Sequence, residues 1–379
     1  MSGFDVIVVG LGAMGSAAAY QLAAAGRTVL GIEQFGPAHD QGSSHGRSRI
    51  IRQAYFEHPA YVPLLKRSYE LWHRLEQESG RHLLTMTGGL MLGAPETDVV
   101  AGSLRSAREH NLPHEMLDAP AIRKRFPPFT PDAGEQGLYE ERAGWLDPEA
   151  CISAHLERAA QLGAELHFHE PVTEWQATHG GVRVTTPGGV HEAAAAVISP
   201  GAWGSRLLGD LQLPLVVERQ VMYWFDPVGG TAPFEVGRFP VYIWETADGV
   251  QFYGFPAHDG PDGGAKVATF RLKGHETTPE AIDRTIHDDE VERMRAAVRG
   301  RVSALDAPLL AAMTCMYTTT PDENFVIGLH PQHPQVAFAA GFSGHGYKFA
   351  SVVGEILSEL AVDGRTRHDI ALFAPLRFV

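Results

Sequence analysis

Phe4-Asp5-Val6-Ile7-Val8-Val9-Gly10-Leu11-Gly12-Ala13-Met14-Gly15 is the stretch that decides the fold. Residues 4 to 9 form a β-branched apolar run, the pattern of a strand buried on both faces. The run stops at Gly10. Met14 to Ala25 is rich in alanine and leucine and reads as a helix, and Thr28 to Ile32 is a second apolar strand closed by Glu33. Strand, glycine turn, helix and a strand with an acidic end make a βαβ unit, and Gly10-x-Gly12-x-x-Gly15 sits where a dinucleotide needs it. Gly10 permits the tight turn, Gly12 lets backbone approach a pyrophosphate, and Gly15 allows close helix packing. The helix N-terminus over Ala13 and Met14 offers unsatisfied N–H groups to phosphate. Glu33 is placed to accept hydrogen bonds from ribose hydroxyls and disfavours a 2′-phosphate. The fingerprint alone does not separate NAD from FAD.

Outward from this unit, Pro59 to Glu76 carries Leu65, Tyr69 and Trp72 at helical spacing, and Leu83 to Leu92 reads as strands and turns around Gly88-Gly89. Pro148 to Gly163 is a helix with Ile152, Leu156 and Ala159 on one face. Glu165 to His169, Val182 to Thr186 and Ala193 to Ser199 read as strands, with a turn at Pro187-Gly188-Gly189. From Leu215 to Leu272 the pattern becomes antiparallel, with Val241 to Glu245 and Val250 to Phe255 forming a hairpin over Asp248-Gly249. Gly229 to Pro233 and Asp259 to Gly264 are loops. Val336 to Ala340 is a strand, and Gly344, His345 and Gly346 open a last helix. The expectation is an α/β chain with an α+β second domain, in which a Rossmann-like nucleotide domain interleaves with an antiparallel-sheet substrate domain. Residues 1–85, 146–213 and 326–379 are assigned to the first, and 86–145 and 214–325 to the second.

Composition narrows the function. Hydrophobic residues make up 44% of the 379 and charged residues 20%, enough for a large core and too apolar for disorder. Lysine and arginine total 31 against 45 acids, a formal charge of −14. That balance argues against nucleic acid or an anionic membrane as partner. No apolar run approaches the roughly 18 residues of a membrane span, and the first residues lack a basic secretory leader. Two cysteines, Cys151 and Cys315, exclude a disulfide scaffold and fit a reducing cytoplasm. The histidine pairs His167-x-His169 and His330-x-x-His333 show no third ligand, so no metal is expected.

Three further segments carry a resemblance: Gly42-Ser43-Ser44-His45-Gly46-Arg47-Ser48-Arg49-Ile50-Ile51-Arg52, Thr314-Cys315-Met316-Tyr317-Thr318 ahead of Pro321-Asp322-Glu323-Asn324-Phe325, and Gly341-Phe342-Ser343-Gly344-His345-Gly346-Tyr347-Lys348-Phe349. With the fingerprint, this set resembles the monomeric sarcosine oxidase and N-methyltryptophan oxidase family of D-amino-acid-oxidase-like flavoproteins, from end to end. The resemblance implies FAD, attached covalently through Cys315. It implies that Ser43, His45 and Arg49 pack against the flavin ring and ribityl chain, with Gly344, His345 and Gly346 lining the ring. Arg52 and Lys348 match a clamp for the substrate carboxylate, a task suited to arginine's planar fork. Tyr253, Tyr317 and His345 match pocket-lining residues, and Lys266 the lysine on the face where oxygen reacts. Two departures stand out. The segment Ala257–Ala265 is about one residue longer than usual, and Phe270 stands where a pocket histidine is common, which suits a larger or more apolar N-substituent than sarcosine's. Arg47 also replaces a common aspartate.

The activity implied is oxidation of a secondary amino acid by FAD to an imine, hydrolysed to amine and aldehyde, with O₂ reduced to H₂O₂ by a monomeric enzyme. The alternatives are a flavin dehydrogenase using a carrier instead of O₂, an oxidase of cyclic secondary amino acids such as pipecolate, an NAD-dependent dehydrogenase, and a non-catalytic nucleotide-binding protein.

Overall fold

The computed structural model describes residues 3–258, 263–271 and 274–378; most of the loop read at 259–264 therefore lies outside the described residues. Strand β1 (Phe4–Val9), helix α1 (Ala13–Ala24) and strand β2 (Val29–Ile32) form the βαβ unit. β1 pairs in parallel with β2, from Val6 opposite Val29 to Val9 opposite Ile32. On its other side β1 pairs in parallel with the strand Gly189–Ile198. Ile7, Val8 and Leu30 are fully buried, as the unbroken β-branched runs require of a strand covered on both faces.

Among the described residues an eight-stranded sheet is centred on this unit. Its order runs Glu174–Thr178, Gly181–Thr186, Gly189–Ile198, β1, β2, Glu165–His167. The ten-residue strand Gly189–Ile198 is shared: its first half pairs antiparallel with Gly181–Thr186, and Ala196 to Ile198 pair in parallel with Val336–Ala340. Helix Ala350–Asp363 packs against α1 and is buried along most of its length.

Among the described residues a nine-stranded, largely antiparallel sheet holds Val216–Phe225, Val241–Glu245, Gln251–Gly254, Ala265–Phe270, Glu276–Thr277 and Leu309–Thr319, extended by Gly89–Gly93, Gln136–Glu140 and Glu115–Asp118. The hairpin read at Asp248-Gly249 is present, with Ile243 opposite Tyr253. A three-stranded sheet joins Arg49–Ile51, Gly144–Leu146 and Leu84–Met86. Arg49 thus opens a short strand and Arg52 follows its last residue, with Arg49 beside Cys315 on a long strand of the larger sheet.

Two local readings need correction. The last helix starts later than Gly344: a 3₁₀ turn spans Tyr347–Phe349 and the α-helix begins at Ala350, because Gly344 has φ +77° and cannot be a helical residue. His167 and His169 do not share a strand face. The strand ends at His167, and His169 has φ +59°, which breaks the alternation.

Candidate active site

The glycine turn is built as its chemistry demands. Gly10 has φ +84°, and a Cβ there would lie 2.5 Å from the Ser199 carbonyl oxygen. A Cβ on Gly15 would lie 1.7 Å from the Gly10 oxygen, so helix and turn touch at backbone distance. A Cβ on Gly12 meets only the Ser44 hydroxyl at 4.0 Å, which leaves the turn open to an approaching group. No side chain caps α1, so its first N–H groups remain unsatisfied at the cavity wall. Glu33 is buried, and its carboxylate accepts from the Leu11 N–H at 2.8 Å and the Phe35 N–H at 3.0 Å. Gly10, Gly12, Ala13, Met14, Glu33 and Ser43 line a long cavity that ends against Arg49, Tyr317, Gly344 and Gly346. It encloses about 1410 Å³ of empty space, open mouth included. Gly15 packs behind the turn and does not border this space.

A second cavity of 680 Å³ meets the first at Arg49, Tyr317, Gly344 and Tyr347. It is bordered by Arg52, Glu57, Tyr253, Phe270, Cys315, His345 and Lys348. Phe270 is edge-on to Phe56, Tyr253 and Tyr317, with ring centroids 6.2–6.5 Å apart. The Tyr253 and Tyr317 hydroxyls lie 3.4 Å apart, and burial raises the pKa of both. The Arg52 guanidinium is buried: one nitrogen donates to the Ala54 carbonyl at 2.9 Å, another to Glu57 at 2.7 Å, and Nε has no partner. Lys348 Nζ donates to the His345 carbonyl at 2.8 Å. Burial, reinforced by Arg52, pushes its ammonium down to about 7. Burial alone would raise the Glu57 carboxyl, but Arg52, with His345 and Lys348, outweighs that and holds it at about 2. His345 is fixed between the Tyr55 hydroxyl at Nδ1 (2.5 Å) and the Glu323 carbonyl at Nε2 (2.9 Å), and burial pushes it down to about 3, so it is neutral.

The sequence profile of the family described as FAD dependent oxidoreductase (DAO) matches residues 5–360. The chain is a member of that family. This FAD-dependent oxidoreductase is 56% identical over 375 residues to monomeric sarcosine oxidase of Streptomyces avermitilis, covering 99% of this chain and 97% of that protein. It is 40% identical over 376 residues to monomeric sarcosine oxidase of Bacillus sp., covering 98% and 95%. With N-methyl-L-tryptophan oxidase of Yersinia pestis it shares 32% over 378 residues, 99% of each chain. Among solved structures, NikD, an unusual amino acid oxidase essential for nikkomycin biosynthesis, superposes with a TM-score of 0.86 at 25% identity, covering 99% of this chain and 98% of that one.

The oxidoreductase's own residues fit the cofactor. Beyond the glycine cradle, His45 is buried with neither ring nitrogen partnered, and the Thr318 hydroxyl at the edge of the long cavity has no partner either. Of these, the Thr318 hydroxyl faces the cavity and is free for a ligand there, whereas His45 borders neither cavity. Burial, with Arg49 next, pushes His45 down to about 3. Cys315 Sγ lies 3.7 Å from the Arg49 guanidinium and 3.7 Å from the Ser43 carbonyl, at the junction of the cavities. Lys266 is placed differently from the other site residues. It borders neither cavity and donates to the carbonyls of Gly46 (2.6 Å) and Ser48 (2.9 Å), beneath the loop that carries His45. Burial, then Arg49, lowers its pKa well below the ordinary lysine value.

Three residues that build the candidate site escape sequence reasoning. Glu57 lies in an irregular segment after Arg52, and no motif marks it as the clamp's internal partner. Tyr55, which holds His345, reads as one more core aromatic. Glu149 accepts from the Gly46 N–H at 2.7 Å and from the Arg47 N–H, tying down the His45 loop from 103 residues away. Cys151 is buried on helix Pro148–Gln161 and is a core residue.

Proposed function

We propose that this flavoenzyme oxidises N-methyl and other secondary α-amino acids, passing the electrons to O₂ and releasing H₂O₂. One observation carries the reading: the smaller cavity sets two buried cations, Arg52 and Lys348, opposite an aromatic wall and opens onto the dinucleotide cavity at Arg49 and Tyr317. A carboxylate is the ligand that two buried cations select. The names of the similar proteins, sarcosine oxidase and N-methyl-L-tryptophan oxidase, support an N-methyl amino acid.

Bound FAD supplies the two-electron acceptor. Arg52 and Lys348 hold the carboxylate, and Tyr253, Tyr317 and Phe270 confine the N-substituent. Arg49, Arg52 and Lys348 outnumber Glu57 around the cavity, so the surrounding field disfavours an ammonium and selects the free amine, the form able to give up electrons. Substrate loses two electrons and two protons to become the imine, water hydrolyses that to a primary amine and an aldehyde, and O₂ takes the two electrons and two protons as H₂O₂. Phe270 and its edge-on partners also suit a ring, which favours cyclic secondary amino acids such as pipecolate as a second reading. Cys315 is proposed to hold the cofactor through a bond from Sγ to the flavin 8α-methyl carbon, the two electrons released passing to O₂. Lys266 is proposed to act on the side of oxygen reduction, from its place beneath the loop that carries His45. Both described cysteines are unpaired, which supports the cytoplasm, and no helix among the described residues is long and apolar enough to cross a membrane. We assign a monomer, from the name of the sarcosine oxidases.

The test is a panel of sarcosine, N-methyltryptophan, pipecolate and primary amino acids, recording H₂O₂ in air and loss of flavin absorbance without oxygen. Bleaching and H₂O₂ with a secondary amine, and none with its primary counterpart, is the expected result. Bleaching without H₂O₂ would make the protein a dehydrogenase, and no bleaching by any member would refute the reading. Acid precipitation should leave the yellow colour in the pellet, and Cys315→Ser should release it to the supernatant.

A further inference from the structure

Away from the flavin cavities, the outer edge of the eight-stranded sheet gathers two imidazoles around one carboxylate. His167 ends its strand, Glu170 follows three residues later, and His191 comes from the neighbouring part of the sheet, on strand Gly189–Ile198. His167 Nδ1 is 2.9 Å from one Glu170 oxygen, and His191 Nε2 is 3.4 Å from the other. One donor atom from each residue falls within 4.8 Å of the other two. The imidazole rings meet nearly perpendicular, centroids 5.6 Å apart, so both point their nitrogens at the same carboxylate.

Tetrahedral coordination by nitrogen and oxygen at about 2.0–2.1 Å puts neighbouring donor atoms roughly 3.3–3.4 Å apart. The His191–Glu170 separation of 3.4 Å has that value, and His167 lies 2.9 Å from the other oxygen of the same carboxylate, so each imidazole stands at ligand spacing from Glu170. For a plain charged hydrogen bond, 3.4 Å is long. The surroundings are those that orient metal ligands. The far nitrogen of His167, Nε2, is 2.7 Å from a Glu165 oxygen, the carboxylate–histidine arrangement that fixes a ligating imidazole's tautomer. The Thr186 hydroxyl donates to the Glu170 carboxylate and fixes its rotation. All three side chains are partly open, at 18–28% exposure, which leaves a fourth position for water.

We propose that His167, Glu170 and His191 form a binding site for a divalent cation of the zinc class, with three protein ligands and a solvent molecule. The proton on His167 Nδ1 leaves to solvent as the cation enters. Spacing along the chain paired His167 with His169 and offered no third ligand; the fold brings Glu170 and His191 to His167 instead. Two other groupings of this kind do not qualify. His330 Nδ1 accepts from the Gln332 N–H at 3.2 Å, which puts its proton on Nε2 facing Asp210 at 2.8 Å and leaves neither nitrogen a lone pair for a cation. Glu355 is already paired with the cations of Arg67 and Arg367. The proposed site also touches the cofactor's cradle through backbone: the Glu33 N–H donates to the His167 carbonyl, and the Glu170 N–H to the Glu33 carbonyl, both at 2.9 Å. A cation there braces the strand end that presents Glu33.

The experiment uses metal-stripped holoenzyme titrated with Zn²⁺ by calorimetry, with Co²⁺ absorbance beyond the flavin bands as a report of coordination number. The expected result is one site lost in His191→Ala and in His167→Asn and kept in His333→Ala. Glu165→Gln should weaken it about 10- to 100-fold, the usual cost of losing such a partner. Zn²⁺ should also raise the melting temperature of the parent and leave that of His191→Ala unmoved. If His191→Ala folds poorly, His191→Asn takes its place. Absence of a stoichiometric site, a site unchanged in both histidine variants, or one lost only in His333→Ala would each overturn the proposal.

Discussion

Glu57 competes with the substrate for its own binding group, and its replacement by glutamine measures that competition. The Arg52 guanidinium gives one nitrogen to the Ala54 carbonyl and one to Glu57 at 2.7 Å, which leaves only Nε without a partner. An incoming carboxylate can use the free Nε–H and the second N–H of a neighbouring nitrogen, but there it meets the negative charge of Glu57 on the same guanidinium. A hydrogen bond to a charged group contributes about 1.5–3 kcal/mol and a neutral one about 0.5–1.5 kcal/mol. Glu57→Gln thus lowers the cost of sharing Arg52 by about 1–1.5 kcal/mol, or roughly five- to twelve-fold in affinity. The assay is titration of purified holoenzyme with a carboxylate that cannot be oxidised, methoxyacetate, followed by the change in flavin absorbance. Kd should fall by that factor in Glu57→Gln and rise steeply in Arg52→Ala. An unchanged or weaker Kd in Glu57→Gln, with the melting temperature retained, would refute the idea that the two carboxylates share one guanidinium.

Lys348, pushed down to about 7 by burial and Arg52, is a cation only below that pH. Methoxyacetate should bind progressively more weakly as pH rises from 6 to 9, binding at pH 8 should take up close to one proton, and Lys348→Met should abolish both effects. The same depressed value means the unfolded chain holds this proton more tightly. Lys348 therefore lowers stability as pH falls from about 10 to 7, and urea midpoints of parent and Lys348→Met should diverge over that interval. Gly15→Ala, with its Cβ 1.7 Å from the Gly10 oxygen, should purify with little flavin, read from the ratio of 450 to 280 nm absorbance. Arg219 and Glu290 form a buried pair, with Arg219 also donating to the Asp283 and Thr285 carbonyls. Arg219→Met should cost about 3–5 kcal/mol in chemical denaturation, and adding Glu290→Leu should return part of it.

The βαβ unit was legible in the sequence because everything that makes it is local: apolar runs of strand length, glycines at fixed offsets and an acid at the second strand's end. The hairpin over Asp248-Gly249 was legible for the same reason. Strand Gly189–Ile198 was read short, as Ala193 to Ser199, since its first half carries His191 and Glu192 and pairs with only one neighbour. The cofactor and substrate residues were legible mainly through resemblance, their spacing along the chain being too wide for pattern to unite them. Glu57, Glu149 and the His167–Glu170–His191 group were not legible. Each gains meaning only when the tertiary fold brings a distant partner to it, as Glu149 comes to Gly46.

The packing of helix Ala350–Asp363 on α1 has a consequence for how the enzyme is made. A Cβ on Gly354 would lie 2.5 Å from the Ala17 backbone, so the two helices interlock at their spines. Strand Val336–Ala340 likewise completes the sheet beside Gly189–Ile198. The phosphate cradle at Gly10–Gly15 and the helix that packs behind it lie more than three hundred residues apart in the chain, and closing contacts across such a separation is slow. A truncation that removes only the helix Ala350–Asp363 should therefore yield a colourless, aggregation-prone chain even though every dinucleotide-motif residue is present.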